Sequence, residues 1–378
     1  MQSKKIILSL IAALAFTAGP ATASDVYSVD TFAIGTLING QFKVDSKEKA
    51  EACYKILNDE TRRLEYILSA YDPDSDVTRL NQHPGEWIQI EPETFEVLNG
   101  SKTIAALTHG TFDPTVGALV KLWSVDQPEH RVPSEAEIKR ALINVDYNLI
   151  DAKKENGRYF GKIGKKQSVA FGAIGKGYIA DKVINKLKQG GCGDSLVSLG
   201  GNVIGSGTNG SDKPWSIGLQ RPDKERGEYF AVVPLKDTSV VTSGDYEKFF
   251  IKDGVKYHHI LNPKTGKPVP ATLSSVTIID DNSAKADALC TALLDVYKRQ
   301  DQARLCFQGH GNTESLKQTE KQCTVTGVLR DLSSAGLAFL TQRFQRRKYV
   351  RKHLHDNRCR NVRHDTKREN GETGQGAA

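Results

Sequence analysis

The cysteines of this sequence lack the spacings that mark zinc-binding proteins and lipoproteins. None of them forms a CxxC pair or another zinc-ligand pattern, and none directly follows the N-terminal apolar run, where a lipid-anchored protein would carry one. Export to an oxidising compartment would allow a disulfide, but the spacing assigns no pair. The six are Cys53, Cys192, Cys290, Cys306, Cys323 and Cys359.

An apolar run long enough to span a membrane is also missing at the N-terminus. Ile6 to Phe16 is interrupted by Ser9, whereas a membrane-spanning helix needs about 20 apolar residues. Lys4 and Lys5 precede this run, and Ala21-Thr22-Ala23 fits a small-x-small cleavage site. We therefore predict that residues 1–23 are a cleaved signal peptide and that the mature protein is soluble and exported.

A net positive charge is missing outside the C-terminal end. The formal net charge is +7, but the last 83 residues hold 17 Lys and Arg against 8 Asp and Glu, so the rest of the chain is slightly acidic. Few aromatic residues accompany this charge, and an exported protein rarely meets nucleic acid, so we expect no nucleic-acid partner. Residues 296–378 show neither helical periodicity nor strand alternation. We predict that this basic tail is disordered or non-native; a genuine, divergent appendage is the alternative.

Long helices precede a series of short strands, which predicts an α+β domain over residues 24–295. The helices are expected at Ser46 to Tyr71, with Ser46 as N-cap, at Glu91 to Gly110, from a capping box at Ser134 and Glu137, and at Ala173 to Gly191.

Three other segments are predicted as strands or turns. Val26 to Val44 alternates as a strand pair with turns at Gly35 and Gly40, and Asp72 to Gln82 is interpreted as a polar turn. Asp194 to Gly207 is interpreted as one buried strand followed by Gly-rich turns.

Asp287 and Thr291 lie four residues apart in KADALCT, Lys285 to Thr291, so on a helix their side-chain oxygens share one face. A carboxylate and a hydroxyl in this arrangement suit Mg²⁺, which prefers oxygen ligands and keeps positions open for phosphate. An ordinary helix cap is the alternative interpretation.

The segment FGAIGKGYIADK, Phe171 to Lys182, combines a Gly-rich turn with the start of a helix. Backbone N–H groups at such a turn can approach a phosphate, the helix dipole favours its negative charge, and Lys176 adds a positive charge. The spacing is neither that of Walker A nor that of a Rossmann fingerprint.

With GTFDPTVGALVKLW, Gly110 to Trp123, and YHHILNPKTGKPVP, Tyr257 to Pro270, these segments resemble the ApbE-type FAD:protein FMN transferases over roughly Phe32 to Leu294. The resemblance implies an ApbE-like, T-fold-related α+β domain of duplicated α/β units, with mostly antiparallel sheets and long helices. It also implies a bacterial periplasmic location.

An FAD site and a metal site follow from the resemblance. The implied FAD contacts are Ile34, Thr111, Phe112, Asp113, Lys176 and Leu261, although an Asp before Pro is also an ordinary N-cap. The implied metal ligands are Ala173 through its carbonyl, Asp287, Thr291 and Cys290, the last through its carbonyl at most because a thiol binds Mg²⁺ poorly. Ala170 stands where the family usually has Asp, which puts one flavin contact in doubt.

The implied reaction is Mg²⁺-dependent transfer of FMN from FAD to a Thr or Ser hydroxyl of an acceptor redox protein, with release of AMP. His259 is the expected general base, and Asp245 is its rival. In the family the acceptor carries a flavinylation motif and is a membrane redox subunit. Two alternatives remain: an FAD pyrophosphatase that yields FMN and AMP, and a non-catalytic periplasmic FAD-binding protein.

Overall fold

The computed structural model describes residues 25–221, 227–269, 274–296 and 338–342. The strands are β1 (Asp25–Ala33), β2 (Thr36–Val44), β3 (Ile88–Ile90), β4 (Asp151–Glu155), β5 (Arg158–Lys162), β6 (Ser195–Leu199), β7 (Asn202–Ser206), β8 (Trp215–Gln220), β9 (Tyr229–Leu235), β10 (Thr238–Gly244), β11 (Phe249–Lys252), β12 (Val255–His258), β13 (Ser275–Asp280) and β14 (Ala338–Gln342). The helices are α1 (Lys47–Leu68), α2 (Asp76–Gln82), α3 (Pro92–Leu107), α4 (Gly117–Trp123), α5 (Glu135–Leu142), α6 (Gly175–Gln189) and α7 (Ser283–Val296), with a 3₁₀ turn at Tyr147–Leu149.

The central sheet has the strand order β1-β2-β6-β7-β10-β13-β14, and every neighbouring pair is antiparallel. Because direction alternates, the β1–β2 turn, the Gly200–Gly201 turn between β6 and β7, the end of β10 and the start of β13 lie at one end of the sheet. We call this the site end.

The two faces of the central sheet are covered differently. Helices α1, α6 and α7 pack on one face over a core that includes Ile204, Val241 and Ile278. The β8–β9 hairpin packs on part of the other face, where Trp215 and Leu235 are buried. An antiparallel sheet with both faces partly covered explains why its strands are more apolar than simple alternation predicts.

A satellite cluster joins α4 and α5 to the β11–β12 hairpin. It includes Leu119, Trp123, Ile138, Phe250 and Leu261, all buried. Trp123 Nε1 donates to the carbonyl oxygen of Gly266 at 2.8 Å, which ties α4 to the turn that follows β12.

Helix ends are the best-predicted local features. The Ser46 side chain accepts a hydrogen bond from the backbone N–H of Lys49 at the start of α1, and Ser134 and Glu137 form the full capping box of α5.

Two of the predicted turns are wrong. Asp76–Gln82 is helix α2, capped by Ser75, and Asp76 is buried beneath it, where its Oδ2 accepts from Thr94 Oγ1 at 2.6 Å. Gly40 lies inside β2, where a β-carbon would come within 2.7 Å of Leu57 Cδ2, so this glycine serves helix packing rather than a turn.

The predicted single strand at Asp194 to Gly207 is also wrong, because it is the β6–β7 hairpin. Gly200 and Gly201 have φ of 53° and 98° and make a two-residue turn, in line with the predicted Gly-rich turn. The prediction missed the second strand, β7, which follows that turn.

A disulfide joins Cys53 in α1 to Cys192 in the loop after α6. Both residues are at most 1% exposed, and 139 residues separate them in sequence. It fastens the end of α6 to α1, a pairing that the sequence left open.

Part of the basic tail contributes to the sheet. Ala338–Gln342 pairs with β13 as β14. The rest of residues 297–378 and the predicted signal peptide lie outside the described residues, so both boundaries stay predictions. None of the helices in the described ranges combines the length and apolar composition of a membrane span.

Candidate active site

A buried carboxylate lies where α6 and α7 meet. Asp287 of α7 is 1% exposed. Its Oδ2 accepts a hydrogen bond from the backbone N–H of Gly177 at 3.0 Å, and Lys176 Nζ lies 3.5 Å from its Oδ1. Both partners are in the first turn of α6, where N–H groups lack helical acceptors and the helix dipole is positive. A helix N-terminus and an ammonium group therefore hold this negative charge.

The close approach of the two helices depends on Gly177. A β-carbon there would lie 2.2 Å from the carbonyl oxygen of Ser283, at the start of α7. One turn further along α6, the Asp181 carboxylate accepts from the N–H groups of Ser283 and Ala284, both at 3.0 Å. Asp181 thus caps α7. Burial raises the pKa of Asp181 to about 6, with Asp280 and Asp281 adding to the effect and the two N–H groups opposing it.

Thr291 and Cys290 lie one turn beyond Asp287. Thr291 Oγ1 lies 3.4 Å from the carbonyl oxygen of Asp287. Cys290 is completely buried, and its thiol donates to the carbonyl oxygen of Val241 at 3.2 Å. Burial raises the pKa of this thiol far above its usual value, so it stays protonated and faces the sheet.

The donor set around Asp287 fits a hard cation. Within the described ranges no cluster of three His, Cys, Asp or Glu side chains is arranged to hold a metal. A cation here would instead use the Asp287 carboxylate, the Thr291 hydroxyl and main-chain carbonyls such as that of Ala173, in the turn before α6. Oxygen donors with few charges suit Mg²⁺, which keeps water or phosphate in its other positions.

Asp113 braces the loop before α4. Its Oδ1 accepts from the N–H and hydroxyl of Thr115 at 2.8 and 2.6 Å, and its Oδ2 accepts from the N–H of Tyr147 at 3.1 Å. Burial raises the pKa of Asp113, and these hydrogen bonds oppose the rise. The alternative that Asp113 is an N-cap is wrong, since α4 is capped by Val116 without a side-chain bond.

The GTFDP segment lies directly beside the Gly-rich turn. Ala170 donates from its backbone N–H to the carbonyl oxygen of Pro114 at 2.8 Å, and Gly117 donates to that of Ser168 at 2.9 Å. Phe112 is 3% exposed, and the Thr111 hydroxyl donates to the Thr108 carbonyl at 2.9 Å. Their direct contact with a flavin stays a prediction.

Ile34 occupies a strained turn at the site end. It has φ 48°, and Gly35 beside it has φ 69°. A β-branched residue in this region is an outlier, and such strain concentrates at functional positions. The backbone N–H of Ile34 donates to Glu65 Oε1 at 2.6 Å, which holds the turn on α1.

The two adjacent histidines differ in what surrounds them. His258 is 3% exposed, with Nε2 against the carbonyl of Val269, and burial lowers its pKa. His259 keeps part of its ring exposed, and its Nδ1 lies 3.1 Å from the carbonyl oxygen of Lys248. Desolvation by the surrounding protein, together with the charge of Lys176 and against the hydrogen bond to the Lys248 carbonyl, lowers the pKa of His259 to about 4. His259 is therefore neutral at neutral pH, within electrostatic reach of the α6 N-terminus.

Asp245 and Leu261 flank this pair. Asp245, just after β10, is 6% exposed, and Lys256 Nζ lies 3.1 Å from its Oδ1. An ammonium partner makes this carboxylate less available to a substrate hydroxyl than the His259 ring. Leu261 is 8% exposed and packs in the satellite cluster.

The structure thus brings together Lys176, Asp287 and Thr291, with His259 nearby, and places the GTFDP loop beside them. Sequence reasoning missed Gly177 and Asp181, although both belong to the FGAIGKGYIADK motif. A cavity of about 300 Å³ runs along another face of α6, past Tyr178, Asp181 and Asn185, and none of the predicted site residues lines it.

The model of the ApbE family matches residues 34–313. The chain belongs to the ApbE family. The match continues past Leu294, where the resemblance was expected to stop.

Curated relatives and solved structures agree. The FAD:protein FMN transferase of Treponema pallidum is 33% identical over 287 residues, which cover 70% of this chain and 77% of the relative. The Vibrio cholerae enzyme of that name is 33% identical over 233 residues, covering 60% and 68%. A crystal structure of the ApbE protein of Thermotoga maritima superposes with a TM-score of 0.70 at 30% identity, over 84% of this chain and 94% of that one. The apo flavinyl transferase ApbE of Pseudomonas stutzeri gives 0.64 at 28% identity, over 73% and 86%. The predicted ApbE-like α+β fold is confirmed.

Proposed function

We propose that this protein is an FAD:protein FMN transferase, which moves FMN from FAD to a hydroxyl of an acceptor protein and releases AMP. The proposal depends mainly on one observation: in a member of this family, buried Asp287 contacts both the α6 N-terminus and Lys176. The positive end of a helix dipole and an ammonium group beside a carboxylate that would bind the metal suit a pyrophosphate with its cation.

Asp287 and Thr291 would hold Mg²⁺, with the carbonyl of Ala173. When bound, the cation would neutralise charge that develops on the phosphate oxygens. Lys176, whose Nζ lies 3.5 Å from Asp287 Oδ1, supplies a further positive charge. The buried Asp287 keeps its orientation through the Gly177 N–H, so the site is preformed.

His259 would accept the proton of the acceptor hydroxyl. The Lys248 carbonyl can only accept a hydrogen bond, so Nδ1 carries the proton and Nε2 is left with its lone pair. A neutral imidazole with one unprotonated nitrogen is the form that a general base requires.

Export to the periplasm and a membrane redox subunit as acceptor belong to the same proposal. The buried Cys53–Cys192 disulfide supports export, since structural disulfides persist in oxidising compartments. The N-terminal signal pattern supports it independently.

Mass spectrometry of an acceptor fragment tests the proposal. Purified protein is incubated with FAD, Mg²⁺ and a fragment carrying a flavinylation motif. We expect the fragment to gain the mass of FMN less one water, and AMP to appear in equal amount. Free FMN with AMP and an unmodified fragment would indicate the pyrophosphatase instead, and bound but unconsumed FAD would indicate a binding protein.

A further inference from the structure

Lys248 is an exposed lysine that makes two contacts. Its main chain contacts His259, the predicted base, and its side chain contacts Asp126 in a neighbouring loop. The carbonyl oxygen of Lys248 lies 3.1 Å from both the backbone nitrogen and Nδ1 of His259. Lys248 Nζ lies 3.1 Å from Asp126 Oδ2. The position of the imidazole is therefore linked to an ion pair on the far side of Lys248.

Asp126 lies next to a well-packed part of the molecule, the end of α4. It follows α4 by three residues, next to Val125, which is 8% exposed and packs in the satellite cluster. The turn is closed by a hydrogen bond from the N–H of Gln127 to the carbonyl of Ser124 at 2.9 Å. Lys248, in contrast, belongs to the short connection between β10 and β11. The ion pair thus fastens a loop to a packed helix end.

We infer that Asp126 and Lys248 are positioning residues, whose ion pair holds the Lys248 carbonyl against His259 and thereby selects the tautomer with a free Nε2. The inference rests on the proposed transferase activity with His259 as the base. If the carbonyl moves away, the proton on Nδ1 loses its acceptor, and the tautomer with the proton on Nε2 becomes more populated.

The same pair acts on the charge state of His259. The charged or titratable groups that face the ring are Lys176 from α6, His258 from β12 and Lys248 itself, and the charge of each favours the neutral imidazole. The hydrogen bond to the Lys248 carbonyl opposes them and has a larger effect than the Lys248 ammonium. Asp126 offsets the charge of Lys248. If the carbonyl moves away in both variants, the pKa of His259 should fall when Lys248 is removed, because the lost hydrogen bond outweighs the lost ammonium charge. It should fall further when the Asp126 carboxylate is removed, because the ammonium then stays without its partner.

The test compares Lys248→Met, Asp126→Asn and the double variant by their pH–rate profiles for FMN transfer. Each single variant should lose about threefold to fivefold in kcat, the range expected for an exposed ion pair, with KM for FAD unchanged. The double variant should be no slower than the slower single one. The acid limb of the profile should move to lower pH in Lys248→Met and further in the same direction in Asp126→Asn, and Lys248→Arg should restore the wild-type rate.

Lys267 and Glu135 provide the matched control. Their ion pair also ties the satellite cluster together, at α5, but neither residue contacts His259. Lys267→Met and Glu135→Gln should leave both kcat and the acid limb unchanged. Equal losses in the control and test pairs would reduce Lys248 to a stabilising contact and overturn the inference, as would acid limbs that do not move.

Side-chain ¹⁵N NMR of His259 separates this inference from the proposed function. In the wild type we expect the proton on Nδ1, and in Lys248→Met a larger fraction on Nε2 with a lower midpoint of titration. Wild-type protein that transfers no FMN would refute the function, while the spectrum would still decide the positioning role. An unchanged tautomer and midpoint in the variant would refute that role.

Discussion

The two halves of the candidate site are held in different ways. The first half comprises Asp287, Lys176 and Gly177, and we call it the phosphate half after its proposed ligand. It lies between two packed helices, where Asp287 is 1% exposed and Gly177 lets the helix backbones touch. The second half comprises His259 and Lys248, and we call it the proton half after the proposed role of His259. It lies at a hairpin end, where His259 is partly exposed and contacts the main-chain carbonyl of Lys248. Lys248 in turn forms a surface ion pair with Asp126. Interior packing fixes the first half, so its residues should tolerate little change. Surface contacts hold the second half, so substitution of its supporting residues should lower the rate only moderately.

The largest effect is expected from Asp287→Ala. Loss of the carboxylate removes the charged ligand of the cation and leaves the Lys176 ammonium without its partner, so FAD turnover should fall by about a thousandfold or more. Steady-state rates across a Mg²⁺ titration would measure it. Undiminished turnover with a normal Mg²⁺ response would remove Asp287 from the metal site.

His259→Asn should come next, with FMN transfer reduced by about two to four orders of magnitude and FAD affinity nearly unchanged. The reason is that the ring would act on the acceptor hydroxyl, not on the cofactor. Single-turnover rates and FAD titration measure the two quantities separately. Parallel losses of rate and affinity would make His259 a flavin contact and leave Asp245 as the leading base.

Gly177→Ala should test the packing of the phosphate half. A β-carbon 2.2 Å from the Ser283 carbonyl oxygen forces the helices apart, which should lower the free energy of unfolding by about 3 kcal/mol. Gly100 in α3 is the matched control, since a β-carbon there meets nothing within 4 Å. Gly100→Ala should be neutral or stabilising by up to about 1 kcal/mol in urea unfolding. Similar destabilisation by both changes would show that the α6–α7 contact is not special.

A smaller, pH-dependent effect is expected at Asp181. Its folded pKa is about 6, above the ordinary 3.8, so the folded state binds its proton more tightly than the unfolded chain. Stability from this group is therefore present below about pH 4 and lost as pH rises through about 6. The full shift corresponds to about 3 kcal/mol, and solvent screening of the half-buried Asp181 reduces this. Urea unfolding of wild type and Asp181→Asn across this range should show the slope in wild type alone. A slope that persists in the variant would assign it to other groups, Asp280 first.

Local sequence predicted the parts of this molecule that depend on neighbouring residues. Ser46 and the Ser134–Glu137 pair identified helix starts because a cap is made within one turn. Asp287 and Thr291 were placed on one helical face by their spacing alone. The same reasoning failed at Asp76, whose polar neighbours indicate a turn, because its carboxylate is satisfied by Thr94 in another helix.

The sequence by itself determined the residue types of the candidate site and the α+β class, since helical period, capping and motif spacing are short-range properties. Tertiary structure alone decided the Cys53–Cys192 bond, the capping of α7 by Asp181 across 102 residues, and the contact of His259 with Lys248. Each of these depends on which elements pack together, and local sequence carries little information about packing partners. The free energy of such contacts comes from burial and close approach, which exist only once the chain has folded.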